Sequence, residues 1–245
     1  MVKIQPVKYL NRLKKLVKVS VEDTFIYPLN IYSHHNLSFS QEGEDRILCR
    51  IFEYQNQGFY VDVGAHHPQR FSNTYLFYLR GWKGINIDAM PGSMKQFEEL
   101  RPEDINVEAA ISDSQETLNY YMFDEPALNS FSEKVSVERG EMTNYKIIDK
   151  SLIKTRRLSE ILDQYLLVDQ VIDFLNIDVE GLDYQVLLSN DWSKYKPKVI
   201  LVEELSSSIN SIVSSPTEIG SLLSHQGYEL FAKTFNTSFY RLVST

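Results

Sequence analysis

Helical and strand-like hydrophobic periods alternate along this chain. Val7, Leu10, Leu13 and Val17 recur at spacings of three, three and four, which predicts a helix near the start. Residues 20–38 hold no firm period and read as a connector. From residue 39, SQEGEDRILCRIFEYQ opens with Ser40 and sets Ile47, Leu48, Ile51 and Phe52 at helical spacing, the pattern of a capped helix. Short runs rich in β-branched and aromatic residues follow: FYVDV (59–63), GINIDA (84–89), INVEAAI (105–111), VIDFLNIDV (171–179) and KVILVEE (198–204). Between them lie the helical stretches SNTYLFYLR (72–80), GSMKQFEEL (92–100) and LDYQVLLSN (182–190). Strands alternating with helices predict an α/β fold, a mostly parallel sheet with helices on both faces. After a helix near 216–225, YELFAKTFNTSFYRLV reads as two strands joined at Asn236–Thr237, an antiparallel hairpin at the sheet edge. Residues 113–157 are the least regular: LNYYMF (118–123) and YKIIDKSLIKT (145–155) look like strands around a polar loop, a lid or a mobile insertion. The organisation expected is a basic helix and connector over 1–38 and one domain over 39–245.

Composition adds limits. The 245 residues are 43% hydrophobic, 24% charged and 12% aromatic, the make-up of a globular chain. No apolar run reaches the ~18 residues of a membrane span, and MVKIQPVKYLNRLKK lacks a secretory leader's apolar block. With Cys49 the single cysteine, a cytoplasmic setting is expected. The net charge of -8 argues against nucleic acid as a partner. Residues 1–18 nonetheless carry six bases and no acid. They suit either an end helix with a solvated basic face or a weak contact with an anionic membrane surface.

Carboxylates fall at strand ends. Asp62 lies near the end of the first strand, Asp88 at the end of the second, Asp178 near the end of the fourth, and Glu203 and Glu204 close the fifth. In a parallel sheet these ends share one rim, where open α/β sheets bind ligands. Each acid could equally cap a helix or a turn. The turn DVGAHHP (62–68) offers Gly64 for close backbone approach, but no G-x-G-x-x-G to cradle a pyrophosphate. A dinucleotide-dependent enzyme is therefore disfavoured. One glycine beside an acid suits a ligand such as the amino-acid part of S-adenosylmethionine, and Asp88 suits a pair of ribose hydroxyls.

The motifs SQEGED (40–45), FYVDVGAHHPQRFSNTYLFY (59–78), GWKGINIDAMP (81–91), NSFS (129–132), DFLNIDVEGLDYQVL (173–187) and ILVEE (200–204) together resemble the FkbM family of S-adenosylmethionine-dependent methyltransferases. The resemblance runs from about Phe39 to the end. It implies a class I methyltransferase (Rossmann-like) fold, a seven-stranded sheet with an antiparallel C-terminal edge hairpin. It also implies O-methylation, typically of sugar (carbohydrate) or polyketide-like hydroxyls. The residues expected to face the cofactor are Gln41, Glu44, Asp62, Gly64, Ala65, Ser72, Asn73, Thr74, Asp88, Ala89, Ala110 and Asp178.

A sugar hydroxyl is a poor nucleophile at neutral pH, so a base or a metal is expected. His66 and His67, beside the glycine turn, are base candidates. Asp178, Glu180, Glu203 and Glu204 could instead supply oxygen ligands to Mg²⁺, the metal set expected being Asp178, Glu203 and Glu204. Glu180 and Asp183 could simply cap the helix beginning at Gly181. Asn129, Ser130 and Ser132 would face the acceptor if the insertion folds over the rim. A catalytically silent cofactor-binding module of the same fold is the alternative.

Overall fold

The computed structural model describes residues 36–205 and 217–243; the N-terminal helix expected over 1–18 and most of the connector lie outside them. In chain order the elements are α1 (Glu44–Ile51), β1 (Phe59–Val63), α2 (Tyr75–Leu79), β2 (Lys83–Asp88), α3 (Met94–Leu100), β3 (Ile105–Glu108), β4 (Ala110–Ile111) and β5 (Thr117–Phe123). There follow α4 (Glu133–Met142), β6 (Ile147–Arg156), α5 (Leu158–Tyr165), β7 (Phe174–Ile177), α6 (Asp183–Leu188), β8 (Val199–Glu203), α7 (Glu218–His225), β9 (Tyr228–Lys233) and β10 (Thr237–Leu242). No helix among the described residues is long and apolar enough to cross a membrane.

Seven strands form one sheet in the order β3-β2-β1-β7-β8-β10-β9. The first five are parallel, and β10 runs antiparallel to both β8 and β9, so the expected edge hairpin is present. Side chains alternate across each strand. Val61 and Val63 of β1 join Ile85, Ile87, Leu175 and Ile177 in one core layer, while Tyr60 packs with Phe77, Trp82 and Phe174 in the other.

Four adjacent strands carry a polar residue at one level of this second layer. The register aligns Asn106 of β3 with Asn86 of β2, Asn86 with Asp62 of β1, and Asp62 with Asn176 of β7. Their side chains are linked: Asn86 Nδ2 donates to Asn106 Oδ1 at 2.8 Å and Asn176 Nδ2 to Asp62 Oδ1 at 2.9 Å. Beneath this row sits Arg101, wholly buried, with Nε donating to Asp104 at 2.9 Å and Nη2 to Tyr60 and Thr74 at 2.9 and 3.0 Å. Asp104 also accepts from Tyr60, the Gly84 amide and Asn86. Thr74 Oγ1 in turn donates a hydrogen bond to Asp62 at 2.7 Å. Every charge in this seam has partners, the condition under which buried polar groups are tolerated.

Local departures from the sequence reading have local causes. Gly43, in the left-handed region at φ 86°, precedes α1, and Ser40 does not cap it. Ser40 Oγ instead takes the Asp45 amide at 3.3 Å, within a loop that Asp45 gathers by accepting from Ser38 and Phe39. INVEAAI breaks at Ala109, whose amide donates to Asp88 O, and the chain then leaves the main sheet as β4. There β4, β6 and β5 make a second, three-stranded sheet. The polar stretch between β5 and β6 contains helix α4, its end capped by Ser132 Oγ on the Val135 amide. Helix α5 was not anticipated; its short apolar face, Leu158, Ile161 and Leu162, is buried in the first core layer.

Arg101→Met should leave Asp104 buried without its cation. The expected loss is roughly 3–5 kcal/mol of stability, to be read from the urea midpoint.

Candidate active site

The C-terminal ends of β1, β2 and β7 open into a cleft of about 980 Å³, counted out to solvent, which the insertion covers. The β1 turn forms its floor. At Gly64, φ is 84° and a β-carbon would lie 1.7 Å from the Asp178 carbonyl, so only glycine lets β1 and β7 close at this point. Both the Gly64 and Ala65 amides donate to Ile87 O, binding the turn to the end of β2. Asp88 then accepts the His66 amide at 2.9 Å and the Met90 amide at 2.8 Å, one on each oxygen. Burial raises its pKa above the ordinary aspartate value, and those two amides oppose the rise.

Of the residues expected to face a cofactor, Gln41, Asp62, Gly64, Ala65, Ser72, Asn73, Asp88, Ala89 and Asp178 line the cleft together. Three expected residues do not. Glu44 instead accepts from the Glu42 amide and the Thr237 hydroxyl. Thr74 is held between Asp62 and Arg101 beneath the cleft. Ala110 is buried in β4; its neighbours Ala109 and Ile111 line the cleft instead, since side chains alternate along an extended chain. Asp62 is at the wall but has an oxygen on each of Thr74 and Asn176. The sequence reading also missed the aromatic walls Phe71, Tyr120 and Phe131. Two of these belong to the insertion, and nothing periodic marks them.

The insertion is fastened on two sides. Arg70 makes a two-pronged pair with Glu125 at 2.9 and 3.1 Å, and Arg139 of α4 pairs with Glu180 while donating to Leu128 O at 3.0 Å. Ser130 Oγ donates to Glu180 O at 2.6 Å, and Asn129 lines the cleft, so the NSFS stretch does fold over the rim. His66 and Phe71, on the turn that carries Arg70, and Glu180 itself all have positive φ (52°, 57° and 56°). Strain of this kind concentrates at functional sites.

Asp178, Glu180 and Glu203 bring carboxylate oxygens within 4.8 Å of one another. Glu204 lies outside this group, a departure from the metal set expected of the sequence. As the next residue of an extended chain it faces the other way, accepting from Tyr240 at 2.7 Å and from Thr217. Asp183 holds the turn, taking the Val179 and Gly181 amides at 3.1 Å each. Burial, with Glu180 and Asp183 adding to it, pushes Glu203 up to about 8. Asp178 rises well above the aspartate range, first from burial and then from Glu203 and Glu180. Glu180 is also raised by burial, against the pull of Arg139. His66 goes the other way: burial, then Arg70, lowers it to about 4, so its ring is neutral at pH 7. Its Nε2 is buried with no partner among the described residues. His67 Nδ1 accepts the Gln69 and Arg70 amides and shapes the turn.

A model of the methyltransferase FkbM domain matches residues 62–230, well over half the chain. The chain belongs to the FkbM methyltransferase family. Its strand order, with the last strand inserted antiparallel beside β8, is that of a class I S-adenosylmethionine-dependent methyltransferase. Among solved structures it is similar to a TehB-like SAM-dependent methyltransferase from Corynebacterium glutamicum, at 9% identity and a TM-score of 0.43 over 98% of this chain and 100% of that one. It is also similar to precorrin-6y C5,15-methyltransferase from Geobacter metallireducens, at 10% identity and a TM-score of 0.37 over 80% and 84%. No curated protein matches the chain.

For this FkbM-family methyltransferase the crowded carboxylates set a pH dependence of stability. Below the ordinary glutamate value of 4.5 both folded and unfolded chains hold the Glu203 proton. Between there and about 8 the unfolded chain ionises while the folded one still holds its proton, so stability falls as pH rises. Glu203→Gln, which cannot ionise, should melt higher than wild type by roughly 2–4 °C at pH 8. The difference should vanish near pH 4 in a pH series of thermal melts.

Proposed function

We propose that this protein transfers a methyl group from S-adenosylmethionine to a hydroxyl of a carbohydrate or sugar-containing small molecule. The observation that carries this reading is the group of carboxylates Asp178, Glu180 and Glu203, of which Asp178 and Glu180 stand on the wall of the cleft that also holds Asp88. A hydroxyl must lose its proton as it is methylated, and a base of raised affinity placed at the acceptor meets that need.

The residues fit the cofactor. Each Asp88 oxygen uses one lone pair on a backbone amide and keeps another for a ribose hydroxyl. The Gly64–Ala65 turn admits close approach. Ala89, Met90, Ala109 and Ile111 give apolar walls to a purine, and Gln41, Ser72 and Asn73 offer polar groups to the amino-acid end. Bound S-adenosylmethionine supplies a methyl group already activated on a sulfonium. The chain then has to align the acceptor, which Tyr120, Phe131 and Phe71 do by stacking on a sugar's apolar face, and to accept its proton.

That proton goes to the carboxylates. His66, with an affinity near 4, is a weak base, and its unpartnered Nε2 suits a hydrogen bond to the bound ligand. A divalent cation does not fit this arrangement. Arg139 occupies the cationic position beside Glu180, and Glu204, one of the three ligands expected, is engaged elsewhere. No step of the proposed reaction runs through a metal.

Calorimetry tests the cofactor. S-adenosylmethionine should bind, Asp88→Ala should weaken it by about 1–3 kcal/mol, and NAD should not bind; tight NAD binding would overturn the reading.

Turnover tests the chemistry. With a panel of neutral glycans, formation of S-adenosylhomocysteine should rise with pH through about 8, as a base of Glu203's affinity ionises. Asp178→Asn should lower it by roughly 10²-fold or more while leaving cofactor affinity near wild type. Cofactor binding with no turnover on any hydroxyl acceptor would leave a silent binding module.

A further inference from the structure

The hairpin of β5 and β6 has two unlike faces. Tyr120, which lines the cleft, pairs with Ser151, so Asp149, Ser151, Ile153 and Thr155 share the body side. On the opposite face Lys150, Leu152 and Lys154 stand across from Tyr121, Asn119 and Thr117. Apart from the buried Tyr121 this face is open along β6: Leu152 is 71% exposed, and Lys150 and Lys154 are exposed on either side of it. Lys150 Nζ lies 4.6 Å above the Tyr121 ring. At the hairpin's end Met142, Ile147 and Ile148 are exposed around Lys146, Met142 by 85% and Ile148 by 67%. Residues 145–157 hold five bases and one acid in a chain of net charge -8. Among the described residues Lys146, Lys150 and Lys154 make no ion pair.

We infer that this exposed surface, with Lys150 and Lys154 beside Leu152 and with Lys146 and Ile148 exposed at the hairpin's end, docks on an anionic lipid bilayer. The acidic body would be repelled by such a surface, so contact must come through a local basic patch, and this one lies on an extended strand. Aliphatic side chains between lysines gain by entering the headgroup layer while the ammonium groups meet lipid phosphates. A second copy of the chain fits less well, because a two-fold contact would set like charges against each other. A nucleic acid would leave Leu152 and Ile148 without a role. With Tyr120 on the reverse side, docking sets the cleft beside the bilayer.

The test is co-sedimentation of the full chain with vesicles of phosphatidylcholine alone and with about one third phosphatidylserine, with circular dichroism confirming that each variant is folded. The protein should pellet with the anionic vesicles only, and less in 0.5 M than in 0.1 M NaCl. Lys150→Glu with Lys154→Glu should weaken binding by about tenfold or more. Ile148→Ser with Leu152→Ser should weaken it at high salt, and Lys95→Glu, on α3, should leave it unchanged. Three results would overturn the proposal. One is absence of binding. Another is binding that responds to Lys14→Glu with Lys15→Glu but not to the hairpin variants. The third is a dimer in sedimentation velocity that the hairpin variants abolish, with no vesicle binding.

Discussion

The buried pair of Arg101 and Asp104 is the interaction on which this architecture rests. A guanidinium with no solvent access is tolerable only if its donors are met, and here they reach Asp104, Tyr60 and Thr74. Through Thr74 the seam extends to Asp62, and through Asn176 to Asn73. It therefore crosses from β3 to β7 just under the cleft. A slip of one residue in any of these strands would turn a polar group into the aliphatic layer on the other face, so the seam pins the register that sets the strand ends side by side. Asp62, which a sequence reader would give to a ligand, spends its two oxygens on this alignment.

Above the seam, the same rim is governed by charge crowding. Acids on parallel strands all emerge at one edge, and the chain treats each differently. Asp88 has amides on both oxygens. Asp183 is consumed by its own turn. Asp178 and Glu203 crowd each other without an ion pair among the described residues, and Glu180 has Arg139. Differing compensation is what makes neighbouring carboxylates differ in proton affinity, the usual basis for dividing acid–base roles. The insertion supplies Arg139, so the cover over the cleft is also part of its electrostatics.

The glycine turn and the insertion meet through strained backbone. His66, Phe71 and Glu180 sit at positive φ where the two fastenings, Arg70 to Glu125 and Arg139 to Glu180, close the cleft. A neutral His66 ring lies under this closure, with burial and the Arg70 charge suppressing its proton.

The order of strands and helices, the edge hairpin and the gathering of Asp62, Asp88 and Asp178 at one rim were all written in the chain's periodicity. Hydrophobic period depends on neighbours along the sequence, and parallel strands force their ends to one side whatever their contacts. Asn86, Asn106 and Asn176 occupy matching places in their strands, yet each alone is one polar residue in an apolar run, and only the register joins them. The division between Glu203, which meets Asp178, and Glu204, which turns to Tyr240, was settled by strand alternation against a partner the sequence does not name. So was the replacement of Ala110 by Ala109 and Ile111 at the cleft. Tertiary structure alone decided which acids keep their protons and which residues the insertion lays over the cleft. Both depend on distances between segments far apart in the chain, and in a low-dielectric interior those distances set the energies.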